Sequence, residues 1–550
     1  MTLSRREFLS SAALIGASAA LPSAVHGAMA KAGPAATGPI PLPPGISKTK
    51  FLQAVREFGR VVGSENVIVD ADRLVSYSKI MIPDDDAQHE PAGAIMATSV
   101  EQVQGVLAVC NKYSIPIWTI STGRNYGYGS AAPATPGQMV LDLRRMNRIL
   151  EVDPDMCTAL VEPGVTYRQL QDYITEHDLP LWLSFPSPGP IAGPLGNTMD
   201  RGVGYNRYHE HVAHFCGLEV VLADGTILRT AMGGVPKSNT WQCYRWGYGP
   251  SLDGIFTQSN FGVVTKMGLW LMPRPAAYKA FMVAWPSLDG FVQGVDVARR
   301  LRLDAVLENG VMGDALYAIA TRARREDLYK GPGAIPDAVL AKIYESLGAP
   351  PWSFVGVLYG TEEQIDVHWH IVKKAFAATG GKLITADKDD GEFPAQHMVN
   401  NMTGRLELEE FGLFNYRGGG GVAWFAPVVQ AKGTEVARQI RLVKPVVNEF
   451  GFDYLGGFLF TGDGGRALEH IVLIAFDRTD KEETKRAHAC FDKLITVNAE
   501  AGFGLYRTNT AFMDKVAETY GPAQKAVNKR IKRALDPHGI LAPGKSGIRI

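Results

Sequence analysis

The segment Ser121-Thr122-Gly123-Arg124-Asn125-Tyr126-Gly127-Tyr128-Gly129-Ser130 follows directly on a short apolar run, Ile115 to Ile120. Glycine reaches positive φ without steric cost, so closely spaced glycines let successive backbone N–H groups turn into one concavity. Such a nest binds phosphate oxygens without needing a lysine. The spacing is not GxGxxG, and Ala131-Ala132-Pro133 does not open a helix, so a Rossmann domain is disfavoured. Ser121, Thr122, Gly123, Arg124, Asn125, Tyr126, Gly127 and Ser130 are the candidate contacts of a pyrophosphate.

Around this loop the pattern is mixed helix and strand. Ser99 to Tyr113 is amphipathic, with Val103, Val106, Leu107 and Cys110 on one face, and Phe51 to Val62 and Tyr167 to His177 also have helical spacing. Met139 to Leu143 and Ala159 to Val161 read as strands. Three more segments carry turn glycines or small residues: Gly164 in VEPGV, Gly196-Asn197-Thr198 through Gly202, and Gly262 to Val264 beside a strand. Each alone also reads as a structural turn.

From about Ala276 the rhythm changes. Strand-like runs at Ala280 to Ala284, Ser353 to Leu358, Val422 to Phe425 and Ile471 to Phe476 alternate with helical ones at Glu363 to Ala377, Gly433 to Phe450 and Lys481 to Glu500. This predicts an antiparallel sheet with helices on one face, inserted between parts of a first domain. Pro522 to Leu535, followed by Asp536-Pro537-His538-Gly539, reads as a last helix and its stop. The expected organisation is a signal peptide at 1–30, a linker at 31–48, a ligand domain at 49–275, a second domain at 276–500, and a segment at 501–550 that completes the first.

With 56 basic and 56 acidic residues the formal net charge is zero, which suggests neither nucleic acid nor an anionic membrane as partner. The five cysteines have no metal-ligand spacing and no disulfide pattern, and read as small buried hydrophobes; no metal site is expected. Ser4-Arg5-Arg6-Glu7-Phe8-Leu9, an apolar run from Ser10 to Leu21, and Ala28-Met29-Ala30 form a twin-arginine export signal with a small-x-small cleavage site. The expectation is a periplasmic, cofactor-loaded protein whose mature chain begins near Lys31. The apolar run is too short for a permanent membrane anchor.

Taken together, WTISTGRNYGYGSAAP (118–133), LVEPGVTY (160–167), GPLGNTMDRGVGY (193–205), WGYGPSLDGIFTQSNFGVVTKMG (246–268), GGGGVAWFAPV (418–428), LYRTN (505–509) and ILAPGKSGI (540–548) resemble the vanillyl-alcohol oxidase and 4-cresol dehydrogenase family, more its dehydrogenase branch. The resemblance runs from about Ile46 to the C-terminus. It implies an α+β, two-domain FAD-binding fold of the p-cresol methylhydroxylase (PCMH) type with an antiparallel-sheet cap domain, and an FAD-dependent oxidation of para-alkylphenols. The positions matching the family's phenolate-binding trio are Tyr128, Tyr506 and Arg507; two hydroxyls and a guanidinium suit one oxyanion. Trp424 matches a pocket wall, Glu410 an acidic residue near the substrate, and Lys545 a cation near the flavin. Read by themselves, Trp424 suits a core and Glu410 a solvated surface.

The chain departs from the family at three places. The position of the tyrosyl flavin anchor carries Phe414, and that of the histidyl anchor Val422; Tyr416, two residues on, leaves a shifted link open. Tightly bound, non-covalent FAD is the expectation. Ser187-Pro188-Gly189 stands where the oxidases carry an aspartate. Gly456-Gly457 replaces an acidic residue, which implies room for a bulkier phenol. By the same resemblance the protein would form a homodimer and pass electrons to a c-type cytochrome subunit or a soluble acceptor. Oxygen as acceptor and a FAD-binding protein without turnover are the alternatives.

Overall fold

A computed structural model describes residues 40–186, 189–385, 393–461 and 464–550. The export signal, the first half of the linker, and Ser187 and Pro188 of the departure noted above lie outside the described residues. The described chain divides into two compact units: residues 40–274 with Thr403–Glu407 and Tyr506–Ile550, and Pro275–Met402 with Leu408–Leu505.

The first unit holds two sheets. One has the spatial order Val67–Ile68, Gly93–Met96, Met139–Asp142, Ile117–Ile120, and its last three strands run parallel. Helices Lys48–Val62 and Val100–Tyr113 bury Phe51, Ala54, Phe58, Val103, Val106 and Leu107 against it. Ser99 caps the second of these, its hydroxyl accepting from the Gln102 N–H at 3.3 Å. The C-terminal segment returns to this sheet: Ile117 N–H donates to Ile540 at 2.8 Å, and Ala542 N–H to Ile117 at 2.6 Å. The other sheet is antiparallel, in the order Ile149–Asp153, Thr158–Val161, Val263–Trp270, Phe215–Val221, Ile227–Arg229.

The second unit is built on a sheet whose strands follow the order Lys382–Thr385, Ala277–Trp285, Trp352–Gly360, Val311–Asp314, Leu455–Thr461, Ala467–Phe476, Gly421–Gln430. The expected strands and helices are present and longer by one to several residues at most ends. Side chains alternate between faces along each strand. Phe425 meets Phe491 of helix Lys481–Glu500 edge-on at 5.6 Å, and Phe281 and Phe354 pack with Phe376 of helix Glu362–Ala377. Trp424 is therefore on the opposite face from this helix layer.

Among the cysteines, Cys110, Cys216 and Cys490 are buried as expected, but Cys157 and Cys243 are part-exposed, because both sit in connections rather than in core elements. No helix of the described residues is long and apolar enough to cross a membrane.

Candidate active site

The glycine-rich loop curls as its composition requires, with positive φ at Gly123 (65°), Gly127 (74°), Gly129 (116°) and also Ser130 (55°). Its hydrogen bonding corrects one detail of the expected nest. The N–H groups of Tyr128 and Ser130 both donate inward, to the Asn125 carbonyl at 3.0 Å, so they serve the loop itself. Ser121, Thr122, Gly123, Arg124, Asn125 and Ser130 line a cleft in the first unit. Gly196 and Asn197 form a second wall, Gly262 and Val264 a third, and Arg507 and Lys545 close it from the C-terminal segment. A Cβ on Gly196 would overlap the Ser121 hydroxyl, so glycine is what lets these two walls meet.

Five expected cofactor residues stand behind these walls instead of lining the cleft. A Cβ on Gly164 would overlap the Arg144 carbonyl, and one on Gly202 the Asn197 side chain, so both glycines serve close backbone packing. Thr198 is 1% exposed, Gly127 shapes the loop, and Tyr126 is buried beside Arg124. Burial raises the Tyr126 hydroxyl above its ordinary pKa, against the Arg124 charge that lowers it. Sequence reasoning missed Trp118, Asp200, Gln258, Ser259 and Thr510, which do line the cleft. Asp200, Ser259 and Thr510 lie inside or beside the quoted motifs, but nothing in local spacing says which way they point.

Asn197 is held from behind. His211 shares a hydrogen of its Nδ1 with Asn197 Oδ1 at 2.5 Å, and its Nε2 lies 3.1 Å from the Ser184 hydroxyl. Burial, with the charges of His214 and Arg507, pulls the His211 pKa down to about 3, so the ring is neutral. At the mouth of the loop, the Arg507 guanidinium stacks on the Tyr128 ring at 3.9 Å and donates to Asn125 Oδ1 at 2.5 Å. Tyr506 precedes Arg507 on the same short strand, its carbonyl accepting from Gln258 at 2.7 Å. The trio Tyr128, Tyr506 and Arg507 thus belongs to one unit, although the loop and the strand are far apart in the chain.

The remaining site residues belong to the second unit. Trp424 is 6% exposed and pairs across the sheet with Leu473; Gly457 pairs with Ile471, which puts both on one face. The two glycines are not equivalent. A Cβ on Gly456 would overlap the Tyr454 ring, whereas at Gly457 the nearest atom is the Met312 carbonyl at 3.3 Å. The reading of the pair is therefore corrected: Gly456 is filled by Tyr454, and at Gly457 a side chain would press on the Met312 carbonyl without overlapping it. Glu410 is 5% exposed, not a solvated carboxylate, and accepts from the Tyr317 hydroxyl at 3.3 Å. Tyr416 is 1% exposed and donates its hydroxyl to Asp453 at 3.1 Å, inside the unit. Phe414 packs edge-on against Phe411, and Val422 is fully buried in its strand.

The cleft fits FAD on its own chemistry. Glycines admit close approach of a diphosphate, Arg124 and Lys545 bring positive charge, and the buried Ser259 and Thr510 hydroxyls have no partner among the described residues. A cradle of this kind fits a FAD-dependent oxidoreductase. The FAD binding domain family model matches residues 91–231, and that of the FAD linked oxidases, C-terminal domain, matches 338–546. The chain is 49% identical over 510 residues to the 4-cresol dehydrogenase [hydroxylating] flavoprotein subunit of Pseudomonas putida, covering 92% of this chain and 97% of that one. A crystal structure of p-cresol methylhydroxylase with substrate bound superposes with a TM-score of 0.90 at 48% identity, over 92% of this chain and 99% of that one. The isoeugenol complex of 4-ethylphenol oxidase from Gulosibacter chungangensis gives 0.88 at 34% identity, with the same coverage. The chain belongs to the 4-cresol dehydrogenase family of FAD-dependent oxidoreductases.

Proposed function

We propose that this enzyme oxidises para-alkylphenols at the benzylic carbon. The observation that carries the reading is the Arg507 guanidinium stacked 3.9 Å over the Tyr128 ring, with Tyr506 next to it in the chain. Two phenol hydroxyls and a guanidinium donate charge-assisted hydrogen bonds to one oxygen, and so hold a phenol as its phenolate. The phenolate charge then pushes through the ring and makes the benzylic hydride a better leaving group. FAD, when bound, supplies the acceptor for that hydride. The product is a quinone methide, which water attacks at the same carbon. Glu410, a buried carboxylate, is suited to orient that water or take its proton. Trp424 walls the ring. A residue without a side chain at Gly457 suits a chain longer than methyl, a methoxylated or lignin-derived phenol.

The locked Tyr416 and the oxygen-free Phe414 favour FAD held without a covalent bond. The same observation favours keeping a second reading, an oxidase, since a relative 34% identical is named a 4-ethylphenol oxidase. The first reading passes electrons to a c-type cytochrome, in keeping with a relative named as a flavoprotein subunit. Export to the periplasm by the twin-arginine route, and a homodimer, complete the proposal.

Anaerobic stopped-flow of the FAD-loaded protein with 4-cresol, 4-propylphenol and eugenol tests it. Rapid bleaching of the flavin is expected, fastest with the longer chains; none with any phenol overturns the reaction class. A following pulse of oxygen or cytochrome c identifies the acceptor by the faster recovery. For export, Arg5→Lys with Arg6→Lys should leave the protein in the cytoplasmic fraction, and unchanged export would overturn the route.

A further inference from the structure

Four charged side chains line the cleft: the cations Arg124, Arg507 and Lys545, and the carboxylate of Asp200. Asp200 sits between two of the cations. Lys545 Nζ donates to its Oδ1 at 2.5 Å, and Arg507 Nη2 lies 4.0 Å from its Oδ2. Asn125 joins the two sides, donating to Asp200 Oδ2 at 3.2 Å while accepting from Arg507 at 2.5 Å. Gln258 fixes the backbone on either side, donating to the carbonyls of Asp200 at 3.3 Å and Tyr506 at 2.7 Å. Asp200 therefore touches, directly or through one amide, every element that carries the trio and the cleft's lysine.

We infer that Asp200 is the counter-ion that positions Arg507 and Lys545 and sets how much positive charge they offer an anionic ligand, the phenolate of the substrate. The inference rests on the phenol-oxidising reading above. Two cations and one anion leave a single positive charge among the three; an amide at this position would leave two. Burial alone would raise the Asp200 carboxyl, but the Lys545 and Arg507 charges and the Lys545 hydrogen bond hold it below its ordinary value, so it is ionised at neutral pH. The carboxylate keeps two neighbouring cations from repelling each other, and it prevents a phenolate from being bound so tightly that product leaves slowly. Arg124 is a further cation of the cleft, the Tyr128 ring lies under Arg507, and the neutral His211 stands behind Asn197.

The test uses the FAD-loaded protein and 4-nitrophenol, whose phenolate absorbs in the visible while the phenol does not. The apparent pKa of the bound phenol is read from that band across pH for wild type, Asp200→Asn, Asp200→Glu and Lys545→Met. Wild type is expected to lower it below the value in water. Asp200→Asn should lower it further, by about one unit or more, and Asp200→Glu should restore it. Lys545→Met should raise it, and decides the matter if Asp200→Asn does not hold FAD. An unchanged pKa in whichever of these two variants retains FAD overturns the inference while the function stands. No phenolate uptake by wild type overturns the function and the inference with it.

Discussion

Tyr416 donates its hydroxyl to Asp453 Oδ2 at 3.1 Å, and Arg325 Nε reaches the same oxygen at 3.2 Å. Burial pushes the Tyr416 hydroxyl far above its ordinary pKa, and the Asp453 charge adds to that. The tyrosine two residues from the expected anchor position thus has its hydroxyl on Asp453. Acid precipitation should release all of the flavin into the supernatant, from wild type and from Tyr416→Phe alike. Tyr416→Phe should cost about 1–3 kcal/mol of stability, because a buried carboxylate loses a donor. Flavin retained in the wild-type pellet but absent from that of Tyr416→Phe would overturn both statements.

The stack of Arg507 on Tyr128 predicts that charge alone does not suffice. Arg507→Lys keeps the charge but loses the planar fork that reaches Asn125 and covers the ring. It should lower kcat/KM for 4-alkylphenols at least tenfold, and Arg507→Ala about 100- to 1000-fold, as for loss of an oxyanion donor. Steady-state kinetics check this. A Lys variant at wild-type kcat/KM would show that the stack has no role in holding the phenolate.

Gly196 has no room for a methyl group beside Ser121. Gly196→Ala should weaken FAD binding at least tenfold, about 1.4 kcal/mol. Adding Ser121→Gly, which removes the clashing hydroxyl, should recover much of the loss. Titration of apoprotein with FAD, followed by quenching of flavin fluorescence, measures both. Equal losses in single and double variants would place the strain elsewhere.

His211 makes stability depend on pH. Its folded pKa, about 3, lies below the ordinary value of 6.5, so on acidification the unfolded chain takes up a proton that the folded one refuses. The neutral ring costs nothing above that ordinary value. Below it, stability falls by roughly 1.4 kcal/mol per pH unit until the folded pKa is reached. His470 in the second unit, buried and also lowered to about 3, adds a like contribution there. Urea unfolding at several pH values should show a shallower acid loss in His211→Gln than in wild type; parallel curves would remove His211 from the account.

The elements of both units were legible in the sequence because periodicity and caps are local. Val103, Val106 and Leu107 on one helix face already declare which side of Val100–Tyr113 is buried. Gly123, Gly127 and Gly129 declare a loop with positive φ. The motifs around them were long enough to indicate FAD, the family and the trio Tyr128, Tyr506 and Arg507. What local spacing cannot carry is direction and distant pairing. Lys545 meets Asp200 across 345 residues and Arg507 meets Asn125 across 382, so only the closed fold makes Asp200 the centre of the cleft's charges. Tyr416 and Gly456 make the same point from the other side. Both read as site positions in the chain, but one hydroxyl is spent on Asp453 and the space beside the other residue is filled by Tyr454. Tertiary packing decides such cases because a side chain's partner is set by where other segments come to rest, and no periodicity in its own segment records that.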